Sequence, residues 1–384
     1  MAERLARAQF RVAAVDRKQR PGDDVCCTGI VGTDCLNFMQ IPDTLVHHRP
    51  RGAVFVSPSG RHLVLERDQA VAAVVDRSEL ERVLVHRARA AGARVVFGLE
   101  VGRVNVTSDR VMIEARGPEG PTTLEARAVV LASGPVPELA ARLGLGRVPG
   151  VWVGAQVEVA LERPGRVVVL SDQTLAPGGF AWLVPTRPGK ALAGMAARKL
   201  PDRHLGDLLD RLRQAHGVRG AVGPVSVRTI PLGPMPRTHA DRVLVVGAAA
   251  GQVKPTTGGG IYWGALCGGV AAEVLENALR RDDLSAHGLA AYERRWRDRV
   301  GRELGAGRRA RHLLDRMGNR HLEHLFTLAV NRDLARRIRT MPVLPFDWHG
   351  RQLLELVSWL FTPGSAQADG AVGERVLLPE CRAS

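Results

Sequence analysis

The chain has 384 residues, enough for two or three domains or for one large α/β unit with an insertion. Hydrophobic residues make up 45% and mean hydropathy is −0.06, which fits a packed core and excludes a mostly disordered chain. Formal charge is +15, from 54 basic and 39 acidic residues, and only Lys18, Lys190, Lys199 and Lys254 of the basic set are lysines. No apolar run reaches the roughly 18 residues that span a bilayer. No basic stretch followed by an apolar one opens the chain, so a secretory signal is not expected. Five cysteines do not make a disulfide scaffold at this length, and the absence of Cys-x-x-Cys and His-x-x-x-His pairs predicts no metal site. The expected location is the cytoplasm, with or without contact to the inner face of a membrane.

In chain order, residues 1–16 read as the end of a helix and then a strand, Phe10 to Val15, that stops at Asp16. A loop follows through Pro21-Gly22 and Val25-Cys26-Cys27-Thr28-Gly29. Residues 53–76 alternate β-rich runs with turns, and Arg77 to Ala91 carries Leu80, Val83, Leu84 and Ala88 on one helical face. Arg94–Phe97 is a strand and residues 102–116 a β-hairpin around Ser108-Asp109. Ala128–Ala132 is a continuous apolar run closed by Ser133-Gly134, the pattern of a central parallel strand.

From about Gly150 the pattern changes. Val151–Leu161, Arg166–Leu170, Phe180–Thr186 and Ala191–Ala197 read as antiparallel strands, with a helix near His204–His216. A strand returns at Arg242–Val246, followed by a glycine-rich loop, Gly247 to Gly260, and a long helix from Ile261 to about Arg280. The remainder to Phe361 is basic helix, and the last twenty or so residues form a loose tail. The expected domains are therefore 1–150 with 236–285, then 151–235, then 286–361, with a tail at 362–384.

The loop Gly247–Gly260 is the strongest local signal. A buried strand runs into small residues, then three consecutive glycines, then a helix. Glycine lets a ligand approach the backbone, and the helix start favours an anion. A packing loop that needs only small residues is the alternative, and three glycines in a row would be a costly way to make one.

This segment resembles the second flavin-binding stretch of FAD-dependent oxidoreductases of the geranylgeranyl reductase family, within the superfamily that has the p-hydroxybenzoate hydroxylase fold. Four further stretches are similar to family motifs in the right order. Val74–Leu80 resembles the segment whose arginine, here Arg77, approaches the flavin. Val130–Gly134 is similar to the strand-to-glycine turn that closes the FAD domain, and Val25–Gly29 to the cysteine–glycine loop near the isoalloxazine. Pro177–Pro185 is similar to the strand that lines the isoprenoid pocket. The resemblance covers about residues 1–290. It implies a Rossmann-like α/β FAD domain, an antiparallel-sheet substrate domain and a basic helical C-terminal region.

What it implies for the site is specific. Asp16, Arg77, Gly134, Gly247, Ala248, Gly251, Gly258 and Gly259 would contact FAD. Phe180, Trp182 and Pro185 would face the substrate, and Cys27 is the candidate catalytic group. Each has a plainer reading. Cys27 and Cys26 can be structural, Arg77 a helix-start charge, and Phe180 and Trp182, on one strand face at i and i+2, core aromatics. Lys254 is placed either at a phosphate or substrate head group or in solvent, and Tyr262 and Trp263 in helix packing.

Two departures stand out. In a βαβ dinucleotide unit the ribose acid lies about 20 residues after G-x-G-x-x-G. With Asp16 as that acid, the first strand and phosphate loop are expected before Met1. Either Met1 is internal to a longer protein or the chain lacks half its FAD grip, and the in-register helix and strand favour the truncated start. Gly144-Leu145-Gly146 is a chance match. Ala248 stands where the family carries an acid on the ribityl chain, a loss of about 1 kcal/mol of hydrogen bonding.

The implied reaction is reduction of isoprenoid double bonds by hydride from reduced FAD, with Trp182 and Phe180 stabilising developing positive charge. The electron donor would be a reduced nicotinamide or ferredoxin. An FAD monooxygenase or halogenase of the same superfamily, or a non-catalytic lipid-binding remnant, are the alternatives.

Charge is concentrated late. Residues 291–340 hold fourteen arginines and six acids, a net +8. Without interleaved aromatics, nucleic acid is not an expected partner. An anionic head group, a membrane surface or a plain solvated helix surface remain. Leu353–Phe361 suits either an interfacial helix or a packed C-terminal one.

Overall fold

The structure is a computed structural model, and it describes residues 1–135, 138–162, 165–200, 204–341, 346–348 and 350–362. The expected loose tail lies outside the described residues, save Thr362. The chain opens with α1 (Ala2–Arg7) and β1 (Ala13–Asp16), then β2 (Ile30–Gly32), α2 (Thr33–Met39), β3 (Val46–His48), β4 (Gly52–Val56), β5 (His62–Glu66) and β6 (Ala72–Val75). Next come α3 (Arg77–Ala90), β7 (Arg94–Phe97), β8 (Glu100–Val106), β9 (Val111–Gly117), β10 (Gly120–Ala126), β11 (Val129–Leu131) and α4 (Glu138–Arg142). The middle of the chain holds β12 (Val151–Leu161), β13 (Val167–Leu170), β14 (Phe180–Pro185), β15 (Lys190–Ala197), α5 (His204–His216), β16 (Val218–Ala221) and β17 (Ser226–Pro231). The last strands, β18 (His239–Ala240) and β19 (Val243–Val245), precede the helices α6 (Ile261–Arg281), α7 (Ala286–Trp296), α8 (Arg302–Asp315), α9 (Asn319–Asn331), α10 (Leu334–Thr340) and α11 (Gly350–Phe361).

Two of the parallel pairs among the described residues join strands within the segments 1–150 and 236–285. β1 runs parallel to β7, and β11 parallel to β19. Gly134 and Gly247 therefore follow the same, carboxyl ends of neighbouring strands, where ligands bind in open α/β sheets. α6 lies over these strands and buries Val270, Ala271 and Val274 against Leu289, Tyr292 and Trp296 of α7. Each fully buried large apolar side chain contributes about 1.5–3 kcal/mol. α3 begins where Asp76 caps it, its carboxylate accepting the Glu79 N–H at 3.0 Å.

The second large element is an eight-stranded sheet in the order β16-β12-β15-β14-β13-β4-β5, with β17 also paired to β12. It differs from the all-antiparallel sheet expected between 151 and 235. β4 pairs parallel with β13, so the hairpin of residues 52–66 joins this sheet although it lies within the first 150 residues. One face packs on α5, through Leu208 and Leu212. The other carries Trp152, Phe180, Trp182 and Ile230. The small sheet β2-β6-β3 lies beside it, Val74 of β6 packing on Trp182 and Val184.

α11 follows the packed reading of its sequence. Leu356, Trp359 and Leu360 join Leu334 and Ile338 of α10 and Leu63 and Leu65 of β5 in one apolar cluster. Arg337 stacks 4.6 Å above the Trp359 ring. The tryptophan that would anchor an interfacial helix is thus turned inward, and Phe361 alone of these aromatics is exposed. Among the described residues no helix is long and apolar enough to cross a membrane.

Candidate active site

The glycine loop begins as β19 ends. Gly247, Gly251 and Gly258 all take positive φ, at 67°, 70° and 75°. At Gly251 an added Cβ would stand 2.0 Å from the Gly233 carbonyl oxygen, so glycine is required twice over. At Gly247 the same Cβ would meet open space. A buried polar chain holds the loop from below. The Gly247 N–H donates to Gln252 Oε1 at 2.8 Å, Gln252 Nε2 to the Tyr292 hydroxyl at 2.9 Å, and that hydroxyl to the Val245 carbonyl at 2.8 Å. Gln252 and Tyr292 are fully buried, and each named link is paired, as a buried network must be.

Most glycine N–H groups of the loop are engaged within it. Gly251 donates to the Ala248 carbonyl, Gly258 to that of Lys254, and Gly259 to Thr257 Oγ1. What remains for an anion is the start of α6, whose N-cap residue Gly260 brings no side-chain cap.

β6 joins the loop to the other predicted residues. Val75 packs with Val31, Cys35 and Leu80 in a cluster against which Ile261 and Tyr262, the first turn of α6, also rest. Gly29 closes on the end of β6, where a Cβ would lie 2.2 Å from the Val75 carbonyl oxygen and 3.4 Å from Arg77 Cγ. Cys27 Sγ accepts the Gly29 N–H at 3.5 Å. Cys27 and Arg77 thus flank one glycine, and Arg77 Nε is buried with no hydrogen-bond partner. Cys26 turns away and donates to the Ser226 carbonyl at 3.6 Å, and burial pushes its thiol pKa up.

The predicted substrate strand is β14. Phe180 and Trp182 lie 5.7 Å apart by ring centroid, and Trp152 stands edge-on to Phe180 at 5.8 Å. The Trp182 indole lies over Gly194, where a Cβ would approach its ring to 2.7 Å. Trp152 Nε1 donates to the Gly178 carbonyl at 2.8 Å, but Trp182 Nε1 is buried without a partner. Ile230 joins this group to the glycine loop, 3.0 Å from a Cβ built on Gly258. Pro185 ends β14, and in β3 the Nε2 of His48 is also buried and unpartnered. Desolvation lowers the His48 pKa. His48 was not singled out in the sequence, where only its place beside His47 marks it.

Two predicted contacts stand apart. Asp16 ends β1 and accepts the Lys18 N–H at 3.0 Å, and no hydrogen bond among the described residues links it to the glycine loop. Gly134 follows β11 with φ of 69° and open space at its Cα. Lys254 differs from both of its sequence readings. It is neither solvated nor free for a head group, because its ammonium is buried against Asp347 at 3.0 Å. Asp347 escaped the sequence reading; an acid enclosed by Phe346 and Trp348 was its only signal.

The pattern of the family described as lycopene cyclase protein matches residues 1–324. Digeranylgeranylglycerophospholipid reductase 2 of Methanothermobacter thermautotrophicus is 30% identical over 342 residues, 86% of this chain and 88% of the relative. Digeranylgeranylglycerophospholipid reductase 1 of Methanopyrus kandleri is 31% identical over 365 residues, 90% of this chain and 94% of the relative. The crystal structure of a geranylgeranyl bacteriochlorophyll reductase-like protein from Thermoplasma acidophilum shares the fold with a TM-score of 0.82, at 20% identity over 94% of this chain and 92% of that one. The flavin-dependent halogenase CmlS shares it more distantly, with a TM-score of 0.64 and 17% identity over 94% of this chain and 68% of its own. By sequence pattern and by the identity of its relatives, this chain belongs to that family, and within it to the geranylgeranyl reductase group of FAD-dependent oxidoreductases.

Proposed function

We propose that this chain reduces isoprenoid double bonds in a geranylgeranyl-chain glycerophospholipid, the substrate class in its relatives' names. One observation carries the reading. β6 presents Val75 to the first turn of α6 and Val74 to Trp182, so one short buried strand brings the glycine loop, Arg77 and the aromatic strand together. The residues fit a flavin. Arg77 offers a buried donor without a partner, and Gly247 leaves open the space a side chain would fill. Gly247, Ala248, Gly251, Gly258 and Gly259 would form the floor, Arg77 one wall, and Asp16 and Gly134 the nucleotide side.

FAD, when bound and reduced, supplies the hydride equivalent for a carbon–carbon double bond. The chain supplies the surroundings. Phe180, Trp182 and Pro185 would hold the isoprenoid chain, and the aromatic faces would stabilise positive charge developing at the tertiary carbon. Cys27 is the candidate proton donor. Strands β1, β7, β11 and β19 with the glycine loop form the cofactor region in this reading, the eight-stranded sheet the substrate region, and 286–361 the basic helical part. The late arginines favour contact with anionic lipid, and a reduced nicotinamide or ferredoxin would supply electrons.

Trp182→Ala tests the reading. Turnover of a geranylgeranyl-chain lipid should fall at least about a hundredfold while FAD affinity stays within about threefold, since lost charge stabilisation of a few kcal/mol acts on the transition state alone. Unchanged turnover would sink the proposal. Cys27→Ser should leave FAD binding intact and cut turnover about tenfold or more, as loss of a positioned acid does.

A further inference from the structure

The Lys254–Asp347 pair has a role that follows from where it is built. Lys254 is 5% exposed and Asp347 4%. Lys254 Nζ lies 3.0 Å from Asp347 Oδ1, 3.4 Å from the Phe346 carbonyl and 4.5 Å above the Phe346 ring. Asp347 Oδ2 accepts the N–H of Gly32, the N-cap residue of α2, at 3.1 Å. The Asp347 carbonyl accepts Trp263 Nε1 of α6, also at 3.1 Å. One residue from the segment before α11 thus ties the start of α2, the first turn of α6 and the glycine loop.

The tie bears on the shape of the loop. The Lys254 N–H donates to the Gly259 carbonyl at 3.0 Å, and the Gly258 N–H to the Lys254 carbonyl at 2.8 Å, so residues 254–259 close on themselves. The Lys254 stem crosses this closed turn, 2.6 Å from where a Gly259 Cβ would stand. At Gly32 a Cβ would come within 2.3 Å of Asp347 Oδ2. Both glycines leave the room the ion pair needs. Gly307 of α8 does the same for Pro255, 3.1 Å from its built Cβ.

Such a pair is a poor source of stability, since apolar residues of the same volume often do as well. It does impose one geometry, because each charge accepts only a few positions of the other. We propose that Asp347 is a positioning residue, a clamp that acts through Lys254 to hold Gly258–Gly260 in the conformation that meets the flavin. The proposal rests on the flavin reading of this loop.

The test uses the full chain and the double variant Lys254→Met with Asp347→Leu, which removes both charges at similar volume. The melting temperature should stay within a few degrees of the parent. Hydrogen exchange at the Lys254 and Gly258 amides should speed up at least about tenfold, with the β12–β15 amides unchanged. The Kd for FAD, read by fluorescence quenching, should rise about tenfold, and the bound flavin's absorption spectrum should shift. Parent-like exchange at both amides would overturn the clamp, and so would faster exchange with unchanged FAD affinity and spectrum. If the double variant does not fold, Asp347→Asn, which keeps the shape, is read by the same measurements. If the parent binds no FAD, the flavin reading fails, and the exchange measurement still decides whether the clamp exists.

Discussion

At the scale of single residues, the site depends on buried polar groups that have few substitutes. The Tyr292 hydroxyl is both acceptor for Gln252 and donor to Val245. Tyr292→Phe leaves both of those groups unpaired beneath the glycine loop and should cost about 1–3 kcal/mol in denaturant unfolding. Full stability in that variant would mean that the chain from Gly247 to Val245 is not what holds the loop. Thiol chemistry gives a second check. Burial pushes the pKa of Cys35, with Asp347 adding to the effect, and that of Cys267 up to about 12. The reactive thiolate is the minor form at every pH below that value. Both cysteines should therefore resist iodoacetamide at pH 8 in the folded chain and react once it is unfolded. Alkylation of either in the folded chain would contradict the packing described.

At the scale of elements, α9 docks on the tip of the β4–β5 hairpin through Glu323. Its carboxylate accepts the Ser59 N–H and two donors of the Arg61 guanidinium. Desolvation pushes its pKa up, but the bonds from the Ser59 backbone, Ser57, Arg61 and the Ser59 hydroxyl prevail and hold it at about 2, against an ordinary 4.5. A folded-state pKa below the unfolded one stabilises above about 4.5, and that stability is lost as pH falls toward about 2. Glu323→Gln should remove this part of the acid-unfolding profile without changing its shape above pH 6. A profile identical to the parent from pH 5 to 2 would show that the contact is not made. This docking also marks the limit of sequence reading. Helix α5, strands β12 and β15 and the run from β19 through the loop to α6 were legible, because each carries its own periodicity or glycine pattern. The membership of β4 and β5 in the large sheet was not. The parallel partner of β4, strand β13, lies more than a hundred residues along the chain, and local alternation carries no record of which strand will pair.

At the scale of the whole molecule, the candidate site is a seam. The glycine loop, β6 and β14 come from distant parts of the chain and meet through Val74, Val75 and Ile230. Family-like motifs singled out Arg77, Trp182 and the glycines one by one as candidates. Lys254 was misread for a physical reason. A loop lysine is ordinarily solvated, and its burial here is set by Asp347, a partner 93 residues later whose neighbours give no pattern of their own. The late basic region divides in the same way. Arg295, Arg297 and Arg311 pair with Glu273, Glu293 and Asp315, so part of the charge expected for lipid serves contacts within the protein. A single anaerobic turnover tests the central claim most directly. The chain is loaded with FAD, reduced with dithionite freed of excess, and mixed with a geranylgeranyl-chain glycerophospholipid. The account predicts that the flavin reoxidises without oxygen and that the lipid gains two hydrogens per bond reduced, read by mass spectrometry. A flavin that stays reduced until oxygen is admitted, with a lipid left unchanged or carrying an added oxygen atom, would contradict it.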